Sequence, residues 1–189
     1  MRQVLTSSVR LLAAIVAATL LTFAPAFADD ADNKAQLDKL FSELKTAPDA
    51  QTARSVELQI ERIWVVPSDP DLAGRMAAVL VAEQSGDLPF ALTLLNKMVG
   101  DHPAYAEAWN QRATVEYELN QYDASLADID KVLAIEPRHF GALSGRVLIY
   151  LAEGNRPEAL KAMIAALAVH PFLATKQLFP ELSVPKTQA

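Results

Sequence analysis

The feature that most constrains the fold is a period of 34 residues between Pro103, Pro137 and Pro171. Each proline ends an apolar run whose spacing is that of one face of a helix. A turn signal rich in Gly and Asn stands near the middle of each period. Because proline ends helices, each period predicts a helix, a turn, a second helix and a stop. The sequence therefore predicts one αα-hairpin, repeated three times in register.

This length and layout resemble the tetratricopeptide repeat. The units are 72–105, 106–139 and 140–173, with no insertion or deletion between them. The central unit carries the best match, at Trp109, Ala113, Tyr117, Tyr122, Leu126, Val132 and Pro137. The run from Tyr105 to Leu143 is also similar to a group of exported alphaproteobacterial repeat proteins. The resemblance implies an all-α fold, a right-handed α–α superhelix of about eight helices in which each hairpin stacks on its neighbour.

The segments on either side of the repeats predict caps. Residues 29–71 contain two helical patterns, which we expect to form a degenerate hairpin that caps the stack. Downstream, 174–189 is expected to form a C-terminal cap and a tail. A short closing helix from Phe172 to Leu182 would place Phe172, Leu173, Leu178 and Phe179 on the last repeat.

Residues 1–28 have the layout of a bacterial Sec signal peptide. A basic start is followed by an apolar run, and the small-x-small pattern Ala26-Phe27-Ala28 predicts cleavage after Ala28. This layout predicts a periplasmic or secreted protein. The alternative is an uncleaved anchor, although the apolar run is short for a membrane span and Pro25 interrupts its end.

Charge narrows the classes of partner. The chain has a net charge of −6, which becomes more negative when Arg2 and Arg10 are removed with the leader. An acidic surface repels phosphate backbones and anionic lipids, so we expect neither nucleic acid nor membrane binding after cleavage. The sequence contains no cysteine, so the fold must be held together by packing alone.

Two arginines stand at core-facing positions of the repeat. Arg112 is expected to form an ion pair with Asp128 in the facing helix, because an unpaired buried charge is costly. Arg146 occupies the equivalent place one repeat later, where the facing residue is Ala162. Arg146 must therefore reach a neighbouring repeat or point into the groove, and the second option makes it a candidate for ligand binding.

In this fold the first helix of each hairpin lines a concave groove, which is the expected binding surface for a protein or peptide. The candidate partner-binding residues there are Met76, Leu80, Glu83, Gln84, Glu107, Asn110, Thr114, Tyr117, Glu118, Ser144, Arg146, Leu148 and Leu151. Their mixture of apolar side chains and carboxylates suits a peptide with apolar and basic side chains.

The sequence contains no pattern of catalytic or metal-binding residues. HExxH, CxxC, GxSxG and Walker motifs are all missing, so we expect no enzyme activity, no metal and no cofactor. The acidic pairs Glu116/Glu118 and Asp128/Asp130 are i,i+2 neighbours and are interpreted as solvated helix faces.

Two functions remain from the sequence. The first is a periplasmic adaptor that recruits a protein or peptide partner through its groove. The second is a structural subunit that forms a homo-oligomer through its terminal caps.

Overall fold

The computed structural model describes residues 30–182, which form eight α-helices and no strand. The helices are α1 (Asp30–Lys45), α2 (Ala50–Val65), α3 (Pro70–Gln84), α4 (Leu88–Asp101), α5 (Ala106–Glu118), α6 (Tyr122–Ile135), α7 (Phe140–Ala152) and α8 (Arg156–Val169). Successive helices pair as four antiparallel hairpins, of which the last three are the repeats. The fold is thus an all-α solenoid.

The turn inside each repeat has the same backbone conformation. Gly86, Asn120 and Gly154, spaced 34 residues apart, have φ values of 76°, 59° and 73°. This left-handed region favours Gly and tolerates Asn. The residue after each of them donates its N–H to a carbonyl five residues back, for example Gln121 to Glu116 at 2.8 Å. The turn signals in the sequence therefore close three helices in the same way.

Small residues allow the two helices of the central repeat to cross closely. Ala113 and Ser125 are buried at the crossing of α5 and α6. The Ser125 hydroxyl donates a hydrogen bond of 2.7 Å to the Ala113 carbonyl, so the polar side chain is satisfied in the core.

The N-terminal hairpin does not cap the end of the stack, contrary to the prediction from the sequence. Its helix α2 packs on α5, two helices beyond α3, and its core joins that of the third repeat. The ring centroids of Phe41 and Phe140 are 6.4 Å apart, and those of Trp64 and Phe140 are 4.9 Å apart. The physical reason is the kind of surface available: α3 contains no aromatic residue and exposes small ones such as Ala77 and Ala78, whereas the start of α7 offers the aromatic ring of Phe140.

Polar contacts fix the hairpin at three points along the repeats. The Tyr105 hydroxyl donates to the Trp64 carbonyl at 2.9 Å. Arg138 lies 4.3 Å above the Phe41 ring and forms an ion pair of 2.7 Å with Asp38. These contacts come from the turns that join the repeats, so the hairpin spans the stack lengthwise.

His170 provides the third point. Its Nε2 lies 3.5 Å from a Glu57 carboxylate oxygen, and its ring is 99% shielded from solvent. Burial lowers the pKa of His170, an effect that the Glu57 carboxylate opposes. The buried imidazole is thus held neutral at the interface between the hairpin and the last repeat.

The C-terminal segment closes the stack as two short 3₁₀ helices, Ala174–Leu178 and Pro180–Leu182, and not as one α-helix. Leu173 and Phe179 are buried on the last repeat, as the sequence predicts. Phe172 and Leu178, by contrast, are 37% and 46% exposed. Pro180 explains why the segment is not one continuous helix, since proline cannot donate the hydrogen bond that would continue it.

The predicted signal peptide, 1–28, and the tail from Ser183 lie outside the described residues. Within residues 30–182, no helix is long and apolar enough to cross a membrane.

Replacing Trp64 by Ala tests the docking of the hairpin. We expect Trp64→Ala to lower the free energy of unfolding by about 3–4 kcal/mol, because it removes a buried indole that joins two parts of the core. The measurement is urea unfolding followed by circular dichroism. Phe90→Ala, at a position that is 50% exposed, is the control and should cost less than about 1 kcal/mol. Equal small losses for both variants would contradict this packing.

Candidate functional site: the concave groove

The first helices of the three repeats, α3, α5 and α7, form the concave groove, and α2 lies along part of it. At the covered end, Glu107 in the first turn of α5 is 4% exposed. At the other end of the same helix, Thr114 and Glu118 are exposed. The N-terminal hairpin therefore divides the groove into a covered part and an open part.

A hydrogen-bonded network built on Glu107 forms the floor of the covered part. One carboxylate oxygen accepts from Asn110 at 3.2 Å and Gln111 at 2.6 Å, and the other lies 3.0 Å from His139 Nε2. The Ala142 N–H donates to His139 Nδ1, so Nδ1 accepts and Nε2 carries the proton given to Glu107. This arrangement fixes the tautomer and the ring orientation of a buried histidine.

The same imidazole is the platform for the hairpin. The rings of Trp64 and His139 are stacked, with centroids 4.0 Å apart and an interplanar angle of 12°. The Glu107 carboxylate thus orients the ring on which the hairpin rests. This role of His139 was not predicted from the sequence, because its stacking partner Trp64 lies 75 positions earlier in the chain.

Four carboxylates lie close enough in the groove for their charges to interact, those of Glu61, Glu83, Glu107 and Glu118. Burial, together with the charges of Glu118 and Glu107, raises the pKa of Glu83 to about 7. Burial and Glu57 raise the pKa of Glu61 on α2, with a further contribution from Glu107 and opposition from Arg54. One oxygen of Glu83 is buried without a hydrogen-bond partner within the described part of the chain. The groove therefore has a deficit of positive charge.

Arg112 joins three helices below this surface. It donates two hydrogen bonds, of 2.6 and 2.7 Å, to the two oxygens of Asp128 in the facing helix, the partner that the sequence predicts. It also donates to Asn96 in the preceding repeat at 3.0 Å. A planar guanidinium suits this two-sided bonding, since its five N–H groups form a rigid fork.

Arg146 forms an ion pair with Asp130, on the second helix of the preceding repeat. Its inclusion among the groove contacts is therefore wrong, and the neighbouring-repeat option is the one that the structure has. The reason is the repeat geometry: Arg146 and Asp130 are 16 residues apart, as are Arg112 and Asn96. The same junction contact recurs, with a charged acceptor in one case and a neutral one in the other.

The interpretation of Glu116 and Asp128 as solvated is also wrong. They are 7% and 4% exposed, because both lie between the helices of the central repeat. Burial raises the pKa of Glu116 to about 7, and the nearby Asp128 carboxylate adds to the shift while Arg112, 3.8 Å away, opposes it. Two carboxylates thus share one guanidinium.

The predicted groove residues differ in how accessible they are. Thr114, Glu118 and Gln84 are exposed, and seven others are half-buried: Leu80, Glu83, Asn110, Tyr117, Ser144, Leu148 and Leu151. Met76 is 1% exposed and belongs to the core of the first repeat, so its prediction as a contact is wrong. The open surface is thus formed by the later turns of α3, α5 and α7.

The arrangement has no feature of a metal centre: within residues 30–182, no group of three His, Asp or Glu side chains is placed to hold a metal ion.

Comparison with known sequences identifies the family. The chain is 38% identical over 144 residues to a TPR repeat-containing protein of Rhizobium etli, which covers 76% of this chain and 71% of that relative. The chain belongs to the tetratricopeptide-repeat (TPR) proteins. No family model matches it.

Solved structures of TPR proteins have the same type of fold. The TPR2AB-domain:pHSP90 complex of yeast Sti1 aligns with a TM-score of 0.50 at 18% identity, over 81% of this chain and 59% of that one. MamA AMB-1 aligns with a TM-score of 0.49 at 16% identity, over 84% of this chain and all of that one. At such identities the likeness to Sti1 shows the fold alone.

The two arginine–aspartate pairs allow a matched test of burial. We expect Asp128→Ala to cost about 3 kcal/mol in the free energy of unfolding, because it removes both short carboxylate hydrogen bonds of Arg112 inside the repeat. Asp130→Ala breaks an ion pair whose acidic side chain is 74% exposed and should cost less than about 1 kcal/mol. Both values come from urea unfolding at one pH. Similar costs for the two variants would contradict the central role of Arg112.

Glu116 makes stability depend on pH. Because its folded pKa is raised to about 7 from 4.5, its contribution is full below pH 4.5 and is lost as the pH rises through 7. Glu116→Gln should therefore reduce the loss of stability between about pH 5 and pH 8, by on the order of 1 kcal/mol. Glu153→Gln, in an exposed turn, is the control and should leave the pH profile unchanged. A profile unaltered by Glu116→Gln would refute the assignment.

Proposed function

We propose that this TPR protein is a non-enzymatic scaffold that binds a segment of a partner protein in the open part of its concave groove. The observation that carries the proposal is the Glu83 carboxylate. It is half-buried, has one oxygen without a partner, and faces Glu118 and Glu107. A buried acceptor that lacks a donor favours a ligand that supplies one.

The chemistry of the groove specifies the partner. The nitrogen donors that the structure places near the carboxylates of this surface are already engaged: Arg54 lies 2.7 Å from Glu57, and His139 bonds Glu107. A Lys or Arg side chain of the partner would therefore supply the missing positive charge at Glu83 and Glu118. Half-buried Leu80 and Leu148 occupy equivalent positions of α3 and α7 in the groove and suit apolar side chains of the same segment.

Proton release would accompany the binding of such a partner. A cation next to Glu83 favours the ionised carboxylate and so lowers a pKa that is about 7 in the free protein. Near neutral pH part of the population must lose a proton to bind. Affinity for a basic segment should accordingly increase as the pH rises through 7.

The family context supports a role in binding. The Sti1 structure that shares the fold is a TPR2AB-domain:pHSP90 complex, so a TPR solenoid of this type accommodates a partner. The fold alone does not determine which partner is bound. For the present chain, the acidic groove calls for a segment that carries a basic side chain.

We also propose that the protein works in the periplasm, on the basis of the signal peptide predicted for 1–28. N-terminal sequencing of the protein recovered from the periplasmic fraction tests this. A first residue of Asp29 is expected, and a protein that retains Met1 would contradict cleavage.

A second candidate function is self-association through the C-terminal cap. Phe172 and Leu178 favour it, because both expose large apolar side chains in the C-terminal segment. Sedimentation velocity separates the two functions: a monomer at micromolar concentration would exclude self-association and leave the adaptor proposal intact.

Reversing the charge of the groove tests the adaptor proposal. We expect the double variant Glu83→Lys/Glu118→Lys to lose at least about tenfold in the yield of partner crosslinked in cells, because it replaces attraction by repulsion. The control, Asp123→Lys/Glu153→Lys, changes the net charge equally at exposed positions near helix ends and should retain its partners. An unchanged set of crosslinked proteins in the groove variant would show that the groove is not the binding site.

A further inference from the structure

A second concave site lies outside the groove, between the open end of the N-terminal hairpin and the turns that join the repeats. It is a cleft of about 930 Å³. Its walls include Leu37 on α1, Ile63 on α2, Leu72 on α3 and Ile135 at the end of α6. None of the residues that carry the proposed partner site borders it. A volume of this size is that of sites for small molecules.

The cleft exists because the hairpin rests on the repeats unevenly. Near the last repeat, the hairpin covers His170 to 1% exposure. Around the two earlier junctions, the equivalent residue His102 and the neighbouring turn form an open wall. Ile135, which lines this wall, keeps 42% of its surface exposed. An exposed isoleucine in a concave wall offers apolar surface to a ligand.

Some of the polar side chains around the cleft already have hydrogen-bond or ion-pair partners among the described residues, and others do not. Asp69 accepts hydrogen bonds from the N–H groups of Asp71 and Leu72, and Glu136 is bonded by Arg138. The acidic groups of the wall are therefore satisfied. Arg138 is in turn neutralised by Glu136 and Asp38.

Lys34 and His102 remain as groups available to a ligand. The Lys34 ammonium and the His102 imidazole line the cleft, and neither forms a hydrogen bond or ion pair with the side chains that the structure describes, those of residues 32–182. Lys34 offers a positive charge and His102 offers an N–H donor. A ligand that matches these two groups and the apolar walls has an anionic group attached to an apolar body.

We propose that this cleft binds a small amphiphile that has one carboxylate and a linear apolar chain. The carboxylate lies at Lys34 and His102, and the chain lies against Leu37, Ile63 and Ile135. This site is separate from the groove and does not rest on the proposed partner function.

Calorimetric titration with decanoate, below its micelle concentration, tests the proposal on the chain from Asp29 to Ala189. Decanoate should bind with one site per chain, and decanol, which lacks the carboxylate, should bind at least about tenfold more weakly. Failure of decanoate to bind, or equal binding of decanol, would overturn the proposal.

Two pairs of matched variants locate the site. Ile135→Asp and Lys34→Glu should each weaken decanoate binding by about tenfold, because they introduce a charge into the apolar wall and reverse the anchoring cation. Ile164→Asp and Lys39→Glu make the same changes at exposed positions outside the cleft and should stay within about twofold. Equal effects of the cleft variants and their controls would show that decanoate binds elsewhere, which would also overturn the proposal.

Discussion

The stacking of Trp64 on His139 is the contact on which the arrangement of this protein depends. The two rings are 4.0 Å apart, and the imidazole is oriented from below by Glu107. Without that orientation the indole would lose its stacked partner and keep, of its ring contacts with the repeats, only the tilted one with Phe140, and the attachment of the hairpin would be weaker. The contact therefore holds α1 and α2 over one part of the groove. The other part of the groove stays open.

The buried carboxylates between the helices of the central repeat have a cation beside them, whereas Glu83 and Glu118 in the groove have none among the described residues. Below the surface, Arg112 is shared by Asp128 and Glu116. On the surface, Glu83 and Glu118 face the open groove with no cation beside them in the described part of the chain. Burial raises the pKa of both Glu83 and Glu116 to about 7, but their positions differ: Glu83 lies in the groove, and Glu116 lies between the two helices of the central repeat.

The repeat could be predicted from the sequence because it is local: a fixed period, turn residues and apolar faces determine each hairpin. The Arg112–Asp128 pair followed from the same register. The place of the N-terminal hairpin could not, because it depends on contacts such as Trp64 with His139, 75 positions apart in the chain. Glu116 was misinterpreted for a related reason: i,i+2 spacing says nothing about which helix covers a face.

The most direct test of how the N-terminal hairpin docks is a set of nuclear Overhauser effects from the Trp64 indole in the isotopically labelled protein. Docking at the start of the last repeat predicts strong effects to the rings of His139 and Phe140, whose centroids lie 4.0 and 4.9 Å from that of the indole. A hairpin that capped the end of the stack would instead place Trp64 against α3. Effects to Ala77 and Ala78, with none to His139, would contradict the divided groove described above.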